Sequence, residues 1–419
     1  MRFSLVGIDH QRAAVAIRER VAISAGQLQD SLALLRLHVP HGIILSTCNR
    51  TEIYSAGNGG ADPQKASLEF LRTRLDVTDA ELLDYVYTSE DRQAAEHLFR
   101  VASGLESMIV GEFEVLGQMR QALDAAEKAG MVSLPLRHAF YGALRTGRRV
   151  REETGISKNA LSVSSVAVDL AARIIGDLKK CKMLVIGAGE AGRLVAKVAG
   201  DMGTPDIVIA SRTKERAEEL ASTLRGTAID LDSLPDELMT ANVVVTCAGA
   251  PHRIMDVSHI ETVMRDRAES PLLIIDIALP RNVEPEVGRV PNVFLYNIDD
   301  LTEISNANRK QRESEIGRAE EILDAEVGQL VSWWQDSDIR PIVGALMSKA
   351  EEIRSAQLNK TLSRLPPLSE EQRENLEAMT KSIVTKILKE PIQYLKSNGN
   401  TYGAEMVKEV FQLDAEIRA

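Results

Sequence analysis

Aromatic residues and cysteines are both scarce in this chain. Phe, Trp and Tyr together make up 4% of the 419 residues, so aliphatic side chains must build most of the hydrophobic core. The three cysteines, Cys48, Cys181 and Cys247, are far apart and lack the spacing of metal ligands. They predict neither a disulfide framework nor a metal site, and they favour a reducing compartment such as the cytoplasm.

Long apolar runs are absent as well. The N-terminal segment meets charged residues too early for a secretory signal, and no run of about 18 apolar residues could span a membrane. A soluble, cytoplasmic protein is therefore expected. The formal net charge of -11 argues against a general affinity for nucleic acid, because such affinity depends on lysine and arginine contacts to phosphates.

One basic segment departs from this acidic total. Its arginines are Arg137, Arg145, Arg148, Arg149 and Arg151. Glutamates follow directly at positions 152 and 153, so a solvated helix face is the simplest interpretation. An RNA contact is the alternative, if other residues call for an RNA substrate.

The length and the changes in pattern predict three domains. Residues 1–155 mix strand-like runs, at 3–8 and 42–47, with amphipathic helices, which indicates an α+β domain. Residues 156–298 alternate strands and helices, as a doubly wound parallel sheet does. Residues 299–419 have helical periodicity. The helices expected in the first domain include residues 25–37 and 66–75.

The middle domain carries a nucleotide-binding fingerprint. A strand at residues 182–186 runs into a GxGxxG segment that opens a helix, and a second strand follows at residues 207–210. In this setting the glycines let the backbone approach the pyrophosphate of a dinucleotide at the helix N-terminus. The predicted cofactor residues of this loop are Gly187, Ala188, Gly189, Glu190, Ala191 and Gly192.

The residues after the second strand indicate which dinucleotide binds. Enzymes that use NAD usually place Asp or Glu there to bind the ribose 2′-hydroxyl, whereas this chain has Ser211, Arg212 and Lys214. Hydroxyl and cationic donors suit a 2′-phosphate. We therefore expect NADPH as the cofactor.

The C-terminal domain is predicted to be an oligomerisation module. Apolar residues from Ile316 to Trp334 repeat at steps of three and four and form one stripe along a long helix. Further helices are expected at residues 340–364, 369–390 and 402–414, with Pro366, Pro367 and Pro391 between them. A two-fold homodimer is the simplest interpretation, and a cap on the chain's own helices is the alternative.

Cys48 lies where an apolar run, residues 43–45, gives way to polar residues. It is therefore predicted at the end of a buried strand. A thiol reacts as its thiolate, and a neighbouring cation such as Arg50 can lower its pKa from about 8.5 toward neutrality. We predict that Cys48 is a nucleophile, and the alternative is a small buried hydrophobic residue.

A cysteine nucleophile and a nicotinamide site together define a narrow set of reactions. A thiolate can accept an acyl group as a thioester, which hydride then reduces to an aldehyde. The acyl donor has to arrive activated, because the chain has no GxxxxGK[ST] loop for ATP. Two alternatives remain open: another NADP-dependent oxidoreductase, similar to shikimate dehydrogenase, in which Cys48 is structural, and a non-enzymatic redox or nucleotide sensor.

Several segments together resemble glutamyl-tRNA reductase. They are residues 46–52 around the cysteine, residues 7–10, residues 107–118, residues 149–154 and the 187–192 loop. The helical tail also resembles the dimerisation domain of that family. The resemblance implies NADPH-dependent reduction of glutamyl-tRNA to glutamate 1-semialdehyde with release of tRNA, the first step of five-carbon tetrapyrrole synthesis. Cys48 would carry the glutamyl thioester.

The resemblance also implies the residues of the site. His97 matches a family histidine linked to activity, and a satisfied core histidine is the alternative. Arg50 suits a substrate carboxylate, and the glutamates suit its ammonium group. The positions that match substrate-binding residues of the family are Thr47, Asn49, Arg50, Ser107, Glu112, Phe113, Glu114 and Gln118.

The chain departs from the family pattern at two positions. Glu114 stands in a Phe-Glu-Val segment where many relatives have Pro-Gln-Ile, and Asp9 stands where Asn or Ser is common. The expected partners are glutamyl-tRNA, a second copy of the chain and, for the aldehyde product, glutamate-1-semialdehyde aminomutase. Because thiol and nicotinamide lie on different domains, residues 150–165 are predicted to act as a hinge that brings hydride within about 3–3.5 Å of the thioester.

Overall fold

The computed structural model describes residues 2–57, 62–157, 162–224, 226–250, 252–267, 270–301, 313–397 and 401–413. The chain divides into two compact units, Arg2–Val327 and the residues from Gly328 on. The first unit contains both sheets, and the second is helical. Part of the predicted hinge, residues 158–161, lies outside the described residues.

An antiparallel four-stranded sheet in the order β2-β3-β1-β4 forms the centre of the N-terminal domain. Its strands are β1 Arg2–Asp9, β2 Gly42–Ser46, β3 Arg50–Gly57 and β4 Tyr87–Glu90. The strands predicted at residues 3–8 and 42–47 are confirmed, and β3 and β4 are additional. Strands β1 to β3 are buried along almost their whole length, because helices cover the sheet.

Seven helices belong to this domain: α1 Val15–Val21, α2 Leu28–Leu35, α3 Pro63–Leu75, α4 Asp79–Tyr85, α5 Asp91–Ala102, α6 Glu114–Lys128 and α7 Leu134–Glu153. Helix α2 is shorter than predicted, because a turn in which the Gln27 amide bonds the Ser24 carbonyl precedes it. Helix α5 buries Ala94, Leu98 and Val101. That apolar face fixes the helix and thereby the position of His97.

The second sheet has six parallel strands in the order β10-β9-β8-β5-β6-β7. This is the doubly wound order of dinucleotide-binding domains, with the switch point beside β5. Alternate residues of β5 enter two apolar layers: Met183 and Val185 face one, and Leu184 and Ile186 face the other. The predicted parallel α/β fold is confirmed.

The strands of this sheet are β5 Lys182–Ile186, β6 Asp206–Ala210, β7 Thr227–Ile229, β8 Val243–Thr246, β9 Leu272–Asp276 and β10 Val293–Asn297. The helices around it are α8 Val163–Ile175, α9 Glu190–Asp201, α10 Lys214–Leu224, α11 Leu234–Leu238 and α12 Val257–Asp266.

The C-terminal helices are α13 Glu313–Leu362, α14 Glu370–Ser397 and α15 Thr401–Phe411. The long helix was expected, but two predicted divisions are wrong: the stripe up to Trp334 and the helix expected at residues 340–364 form a single helix, and Pro391 does not end the following one. Helix α13 contains Pro341, and α14 continues through Pro391. Proline removes a helical hydrogen bond, and the burial of apolar residues on both sides of each proline offsets that cost. The buried residues include Ile339, Ile342, Leu346, Leu388 and Leu395.

Helix α14 also carries an apolar row on its surface, Met379, Ile383 and Ile387, which are 51%, 48% and 64% exposed. No helix in the described parts of the chain has the length and apolar character needed to cross a membrane.

Candidate active site

Cys48 occupies the short loop between β2 and β3. The Thr47 amide donates to the Arg50 carbonyl at 2.8 Å, and Thr47 Oγ1 accepts the amide of Asn49 at 3.1 Å. From outside the hairpin, the His10 amide donates to the Asn49 carbonyl at 2.9 Å. These bonds hold the partly exposed thiol at the end of a buried strand, as predicted.

Arg18, on α1, also contacts the loop that carries Cys48. Its side chain is 1% exposed. Nη1 donates to the Cys48 carbonyl at 2.5 Å, Nε donates to the Ala13 carbonyl at 3.1 Å, and Nη2 pairs with Asp299. The sequence pattern did not indicate Arg18, because its role depends on a contact with a residue 30 positions away.

The electrostatic setting of the thiol differs from the prediction. Burial raises the pKa of Cys48 to about 12, and the carboxylates of Glu112 and Glu114 act in the same direction, whereas Arg18 lowers it. The expectation that Arg50 lowers the pKa of this thiol is wrong for the structure. In this arrangement the thiol is protonated at neutral pH.

The guanidinium of Arg50 points into a buried network instead. Nη1 lies 2.7 Å from Glu52 Oε1, and Nη2 donates to the Glu106 carbonyl. The side chains of Arg50 and Glu52 are 2% and 0% exposed. The pKa of Glu52 is well below its usual range, because Arg50 and His97 favour the carboxylate against the cost of burial. A substrate carboxylate could reach Arg50 only after this ion pair opened.

Two tyrosines complete the network around Glu52. Tyr54 Oη donates to Glu52 Oε2 at 2.6 Å, and Tyr87 Oη donates to Oε1 at 2.5 Å. His97 Nε2 lies 2.8 Å from Oε1, and its side chain is 18% exposed. The histidine is therefore a partly exposed member of the polar network rather than a residue of the apolar core.

The Gly7-Ile8-Asp9-His10 segment has two structural roles next to this network. A Cβ atom on Gly7 would lie 2.6 Å from Tyr87 Cζ, so only glycine leaves room for the tyrosine that bonds Glu52. Asp9 Oδ1 accepts the amides of Gln11 and Arg12, which shapes the turn that delivers His10 to Asn49.

The predicted substrate-binding residues of the 107–118 segment lie on both sides of the start of α6. Ser107 and Glu112 are both 7% exposed, and a hydrogen bond joins their side chains. Glu114 begins α6, and Gln118 follows one turn later. Phe113, by contrast, is 59% exposed, with the guanidinium of Arg151 5.7 Å from its ring centroid.

Glu114 is electrostatically unusual. Its Oε1 is buried without a hydrogen-bond partner among the described residues. Burial, together with the nearby carboxylates of Glu112 and Glu190, raises the pKa of Glu114 to about 7. The carboxyl groups of Glu112 and Glu114 thus both act on the Cys48 thiol.

The glycine loop lines a cleft of about 290 Å³ at the carboxyl ends of β5, β6 and β8. Gly187 has φ +118°, and a Cβ on Gly192 would lie 1.8 Å from the Gly187 carbonyl oxygen. Both positions therefore require glycine. The predicted cofactor residues Gly187, Ala188, Gly189, Ser211 and Arg212 all line the cleft, together with Arg216 and Cys247.

The other predicted cofactor residues lie around this cleft. Glu190 lines an adjoining groove, the Ala191 carbonyl accepts Ser164 Oγ at 3.2 Å, and Gly192 packs beneath the loop. The sequence analysis did not predict Arg216 as a cofactor residue, because it lies in the first turn of α10 rather than directly after β6. An arginine at that spacing after a strand is a signal that could have found it.

The thiol and the nucleotide cleft meet within one compact unit. Cys48 packs against the apolar layer that contains Val185 and Val195 of the nucleotide domain. Glu114 acts electrostatically on Cys48, on Cys247 in the cleft wall and on Glu190. Cys48 and the nucleotide domain therefore share one apolar cluster.

The arginine-rich segment forms part of α7 and is partly engaged within the protein. Arg145 and Arg149 bind Glu326 at 3.1 and 2.9 Å. Arg151 donates to three backbone carbonyls, those of Ala102, Gly147 and Glu112. Arg151 is therefore engaged within the protein, whereas Arg145 and Arg149 are 68% and 43% exposed and keep the character of a solvated helix face. In the described residues, no group of three or more His, Cys, Asp or Glu side chains could hold a metal ion.

Comparison with known proteins identifies the same three regions. Residues 6–154 match the family described as glutamyl-tRNAGlu reductase, N-terminal domain, and residues 318–413 match its dimerisation domain. Residues 169–304 match the shikimate / quinate 5-dehydrogenase family. The predicted alternative, a shikimate dehydrogenase-like enzyme, thus accounts for the nucleotide domain alone.

Full-length relatives decide the assignment. The chain is 36% identical to the glutamyl-tRNA reductase of Natranaerobius thermophilus, with 100% of this chain and 93% of the relative covered. It is 37% identical to that of Carboxydothermus hydrogenoformans, with 99% and 94% covered. The chain belongs to the glutamyl-tRNA reductase family. The solved structure of the glutamyl-tRNA reductase from Methanopyrus kandleri is 33% identical, covers 98% of this chain and 99% of its own, and has a TM-score of 0.51.

Membership confirms the predicted family, the three-domain architecture and the enzyme class. The chain is an oxidoreductase of the first step of tetrapyrrole biosynthesis. Its middle domain is of the type that binds a nicotinamide cofactor, and its C-terminal helices form a dimerisation domain.

Proposed function

We propose that the chain reduces glutamyl-tRNA to glutamate 1-semialdehyde with NADPH, through a thioester on Cys48. The observation that carries the proposal is the partly exposed Cys48 thiol on a hydrogen-bonded loop at the end of β2, where the carboxylates of Glu112 and Glu114 act on it. An enzyme that reduced its substrate directly would not need a cysteine there.

The cleft fits a phosphorylated nicotinamide dinucleotide. Gly187 and Gly192 form a close-packed turn at the N-terminus of α9, where the backbone can approach a pyrophosphate. Arg212 and Arg216 line the end of the cleft beyond β6, and two cations there suit a ribose 2′-phosphate. When bound, the cofactor supplies the hydride that reduces an acyl group to an aldehyde.

Cys48 Sγ would attack the ester carbonyl that joins glutamate to the tRNA. A C–S bond forms, the C–O bond to the tRNA breaks, and the proton lost by the thiol is transferred to the leaving oxygen, so that the tRNA departs with a free hydroxyl group. The thioester then receives hydride at its carbonyl carbon. The C–S bond breaks, and the thiolate and the aldehyde separate.

Substrate binding would activate the thiol. In the free protein, Glu112 and Glu114 oppose the thiolate and raise the pKa of Cys48. The α-ammonium group of the glutamyl moiety would neutralise these carboxylates. Ionisation of Cys48 is then easier when substrate is present, which limits side reactions of the free enzyme.

We assign the remaining roles as follows. Arg50 and Glu52 position His97, which is the exposed end of their network and can exchange a proton with the reacting groups. Thr47 and Asn49 shape the thiol loop. Substrate contacts are proposed for Thr47, Asn49, Arg50, Ser107, Glu112, Phe113, Glu114 and Gln118.

We also propose domain limits and assemblies. The catalytic domain would comprise residues 1–155, the NADPH domain residues 156–298 and the helical domain residues 299–419. The apolar row of α14 would lie in a homodimer interface. A transient complex with glutamate-1-semialdehyde aminomutase would receive the reactive aldehyde, and co-sedimentation at physiological salt tests that complex.

A trapping experiment tests the mechanism. Glutamyl-tRNA with labelled glutamate is mixed with the protein without NADPH, and a labelled adduct is expected on the peptide that contains Cys48. Addition of NADPH should release semialdehyde. Cys48→Ser should lose both products and still bind NADPH, whereas Cys181→Ser, the matched control at a buried thiol away from the cleft, should retain both. An active Cys48→Ser variant would exclude the thioester.

A second experiment tests cofactor choice. Arg216→Ala should weaken NADPH binding about tenfold or more and leave NADH binding nearly unchanged, because one charge-assisted bond to the 2′-phosphate is lost. Arg265→Ala, on the surface helix α12, is the control. Equal losses for both cofactors would contradict the assignment.

A further inference from the structure

Helix α1, Val15–Val21, connects the catalytic domain to the nucleotide domain through two adjacent side chains of opposite charge. Arg18 pairs with Asp299, and Glu19 pairs with Arg281. Arg281 belongs to the loop after β9 in the nucleotide domain, and Asp299 belongs to the short turn Ile298–Leu301 directly after β10, at the boundary with the helical domain. A seven-residue helix therefore contacts both segments at once.

The Arg18 contact leads directly to the nucleophile. Arg18 shares its guanidinium between the Cys48 carbonyl, the Ala13 carbonyl and Asp299. Asp299 Oδ2 also accepts the Val15 amide at 3.0 Å, so it holds the first residue of the helix as well. A displacement of the turn that carries Asp299 would therefore act on the backbone of Cys48.

The Glu19 contact leads to the nucleotide cleft. Arg281 Nε and Nη2 bind the two carboxylate oxygens of Glu19 at 2.9 and 2.6 Å, with the side chains 14% and 19% exposed. The next residue, Asn282, is 0% exposed. Its Oδ1 accepts Thr246 Oγ1 at 2.6 Å and the amide of Ala248 at 3.0 Å.

Ala248 is part of the cleft wall. Polar contacts therefore run from the cleft to Asn282, and from Arg281, its neighbour in the chain, to Glu19. Arg18, the residue before Glu19, continues these contacts to the Cys48 carbonyl. The Glu19–Arg281 pair is bidentate and fixes both distance and orientation, and the Arg18–Asp299 contact adds a second point of attachment for the helix.

We propose that Arg18 and Glu19 are positioning residues that set the Cys48 loop against the nucleotide cleft for hydride transfer. The proposal rests on the thioester function proposed above. Neither side chain reacts. Their contribution is the distance between the thioester carbon and the hydride donor, and a displacement of about 1 Å can slow such a step about 100-fold.

Separate measurements of thioester formation and hydride transfer distinguish this positioning role from a general structural role. Thioester formation needs the thiol loop and the substrate pocket, which both lie in the catalytic domain. Hydride transfer also needs the nucleotide domain at the correct distance. Loss of the Glu19–Arg281 pair should therefore leave the first step intact and slow the second.

The test uses the full-length protein with glutamyl-tRNA and NADPH. We measure adduct formation on Cys48 without NADPH, and single-turnover loss of NADPH absorbance after NADPH is added to the adduct. Glu19→Ala and Arg281→Ala should each slow hydride transfer about 10- to 100-fold, with adduct formation and NADPH affinity unchanged within about twofold. The double variant should be no slower than either single variant, because both remove the same contact.

The charge exchange Glu19→Arg with Arg281→Glu restores an ion pair in the reverse sense and should recover most of the lost rate. Asp299→Asn, which retains the shape of the side chain, tests the Arg18 side and should slow hydride transfer in the same way. Arg265→Ala is the control, because Arg265 is exposed on helix α12 of the nucleotide domain, and it should change neither step.

Three outcomes would overturn the positioning role: equal losses in both steps, unchanged hydride transfer in Glu19→Ala, or independent losses that multiply in the double variant. Failure of the thioester function is distinguishable, since the wild-type protein itself would then form no adduct on Cys48.

Discussion

Replacement of Gly7 by alanine should disrupt the network around Glu52. The new Cβ would lie 2.6 Å from Tyr87 Cζ, 2.7 Å from Tyr87 Oη and 3.0 Å from Glu52 Cγ. Carbon atoms in contact are normally about 3.5–4.0 Å apart. Gly7 and Tyr87 are opposite each other on β1 and β4, so the tyrosine ring or the edge strand has to move.

The magnitude follows from two contributions. Forcing a methyl group into a packed site costs about 1–3 kcal/mol. Displacement of Tyr87 breaks its 2.5 Å bond to the Glu52 carboxylate, and a hydrogen bond to a charged group contributes about 1.5–3 kcal/mol. We expect the local free energy of unfolding around β1 and β4 to fall by about 3–5 kcal/mol.

Hydrogen exchange of the β1 and β4 amides measures this local free energy without assuming two-state unfolding of the whole chain. Gly117→Ala is the matched control. It lies in α6 with nothing within 4 Å of the added Cβ, and it should be neutral or stabilising by up to about 1 kcal/mol.

A second background identifies the cause. In Tyr87→Val the colliding ring is absent, so a further Gly7→Ala should cost less than about 1 kcal/mol. If Gly7→Ala is equally costly with and without the tyrosine ring, or costs less than about 1 kcal/mol in the wild-type protein, the steric explanation is refuted.

Three further predictions follow from the site. Burial raises the pKa of Glu114 from 4.5 to about 7, so the stability that its protonated form contributes is complete below pH 4.5 and is lost as the pH rises through about 7. At about 1.4 kcal/mol per pH unit, the loss of folding free energy approaches 3 kcal/mol. Urea titrations at several pH values should detect this loss in the wild-type protein and not in Glu114→Gln. Glu114→Gln should also speed the alkylation of Cys48 by iodoacetamide at pH 8 several-fold, because one charge that opposes the thiolate is removed. An unchanged alkylation rate would exclude that charge effect. The peptide that is labelled in the wild-type protein and not in Cys48→Ser is the one that contains Cys48. Gly192→Ala should abolish measurable NADPH binding, because the added Cβ would lie 1.8 Å from the Gly187 carbonyl oxygen. Gly200→Ala, on the same helix, is the control and should bind NADPH normally, because the nearest atom to its Cβ is 3.8 Å away. Nicotinamide fluorescence measures the binding of both variants.

The sequence predicts most reliably what depends on neighbouring residues. The GxGxxG segment, its strand and its helix are all local, and the structure places Gly187 and Gly189 in a cleft as expected. The position of Cys48 at a strand end is equally local. The long helix follows from its periodicity, but its continuation through Pro341 depends on burial that a local pattern does not contain.

The electrostatics of the site could not be predicted in this way. Arg50 is two residues from Cys48, but Cys48 lies in the loop and Arg50 is the first residue of β3, so the regular alternation of side chains along a strand does not relate the two. The partner of Arg50 is Glu52, on the same side of β3, while the cation that supports Cys48 is Arg18, from a separate helix. Alternation along β3 could have indicated the Arg50–Glu52 pair, but only the folded chain brings Tyr87 and His97 to it.

The buried charges of β3 also have a consequence for folding. Arg50, Glu52 and Tyr54 alternate onto one face of the strand and meet one another there. If the β2–β3 hairpin paired one residue out of register, Glu52 would turn to the opposite face and lose its partners, at a cost of several kcal/mol for an unpaired buried carboxylate. An apolar strand would tolerate such slippage more readily. The ion pair therefore favours the correct register of the β2–β3 hairpin over misaligned registers. In the correct register, Cys48 lies in the loop between the two strands.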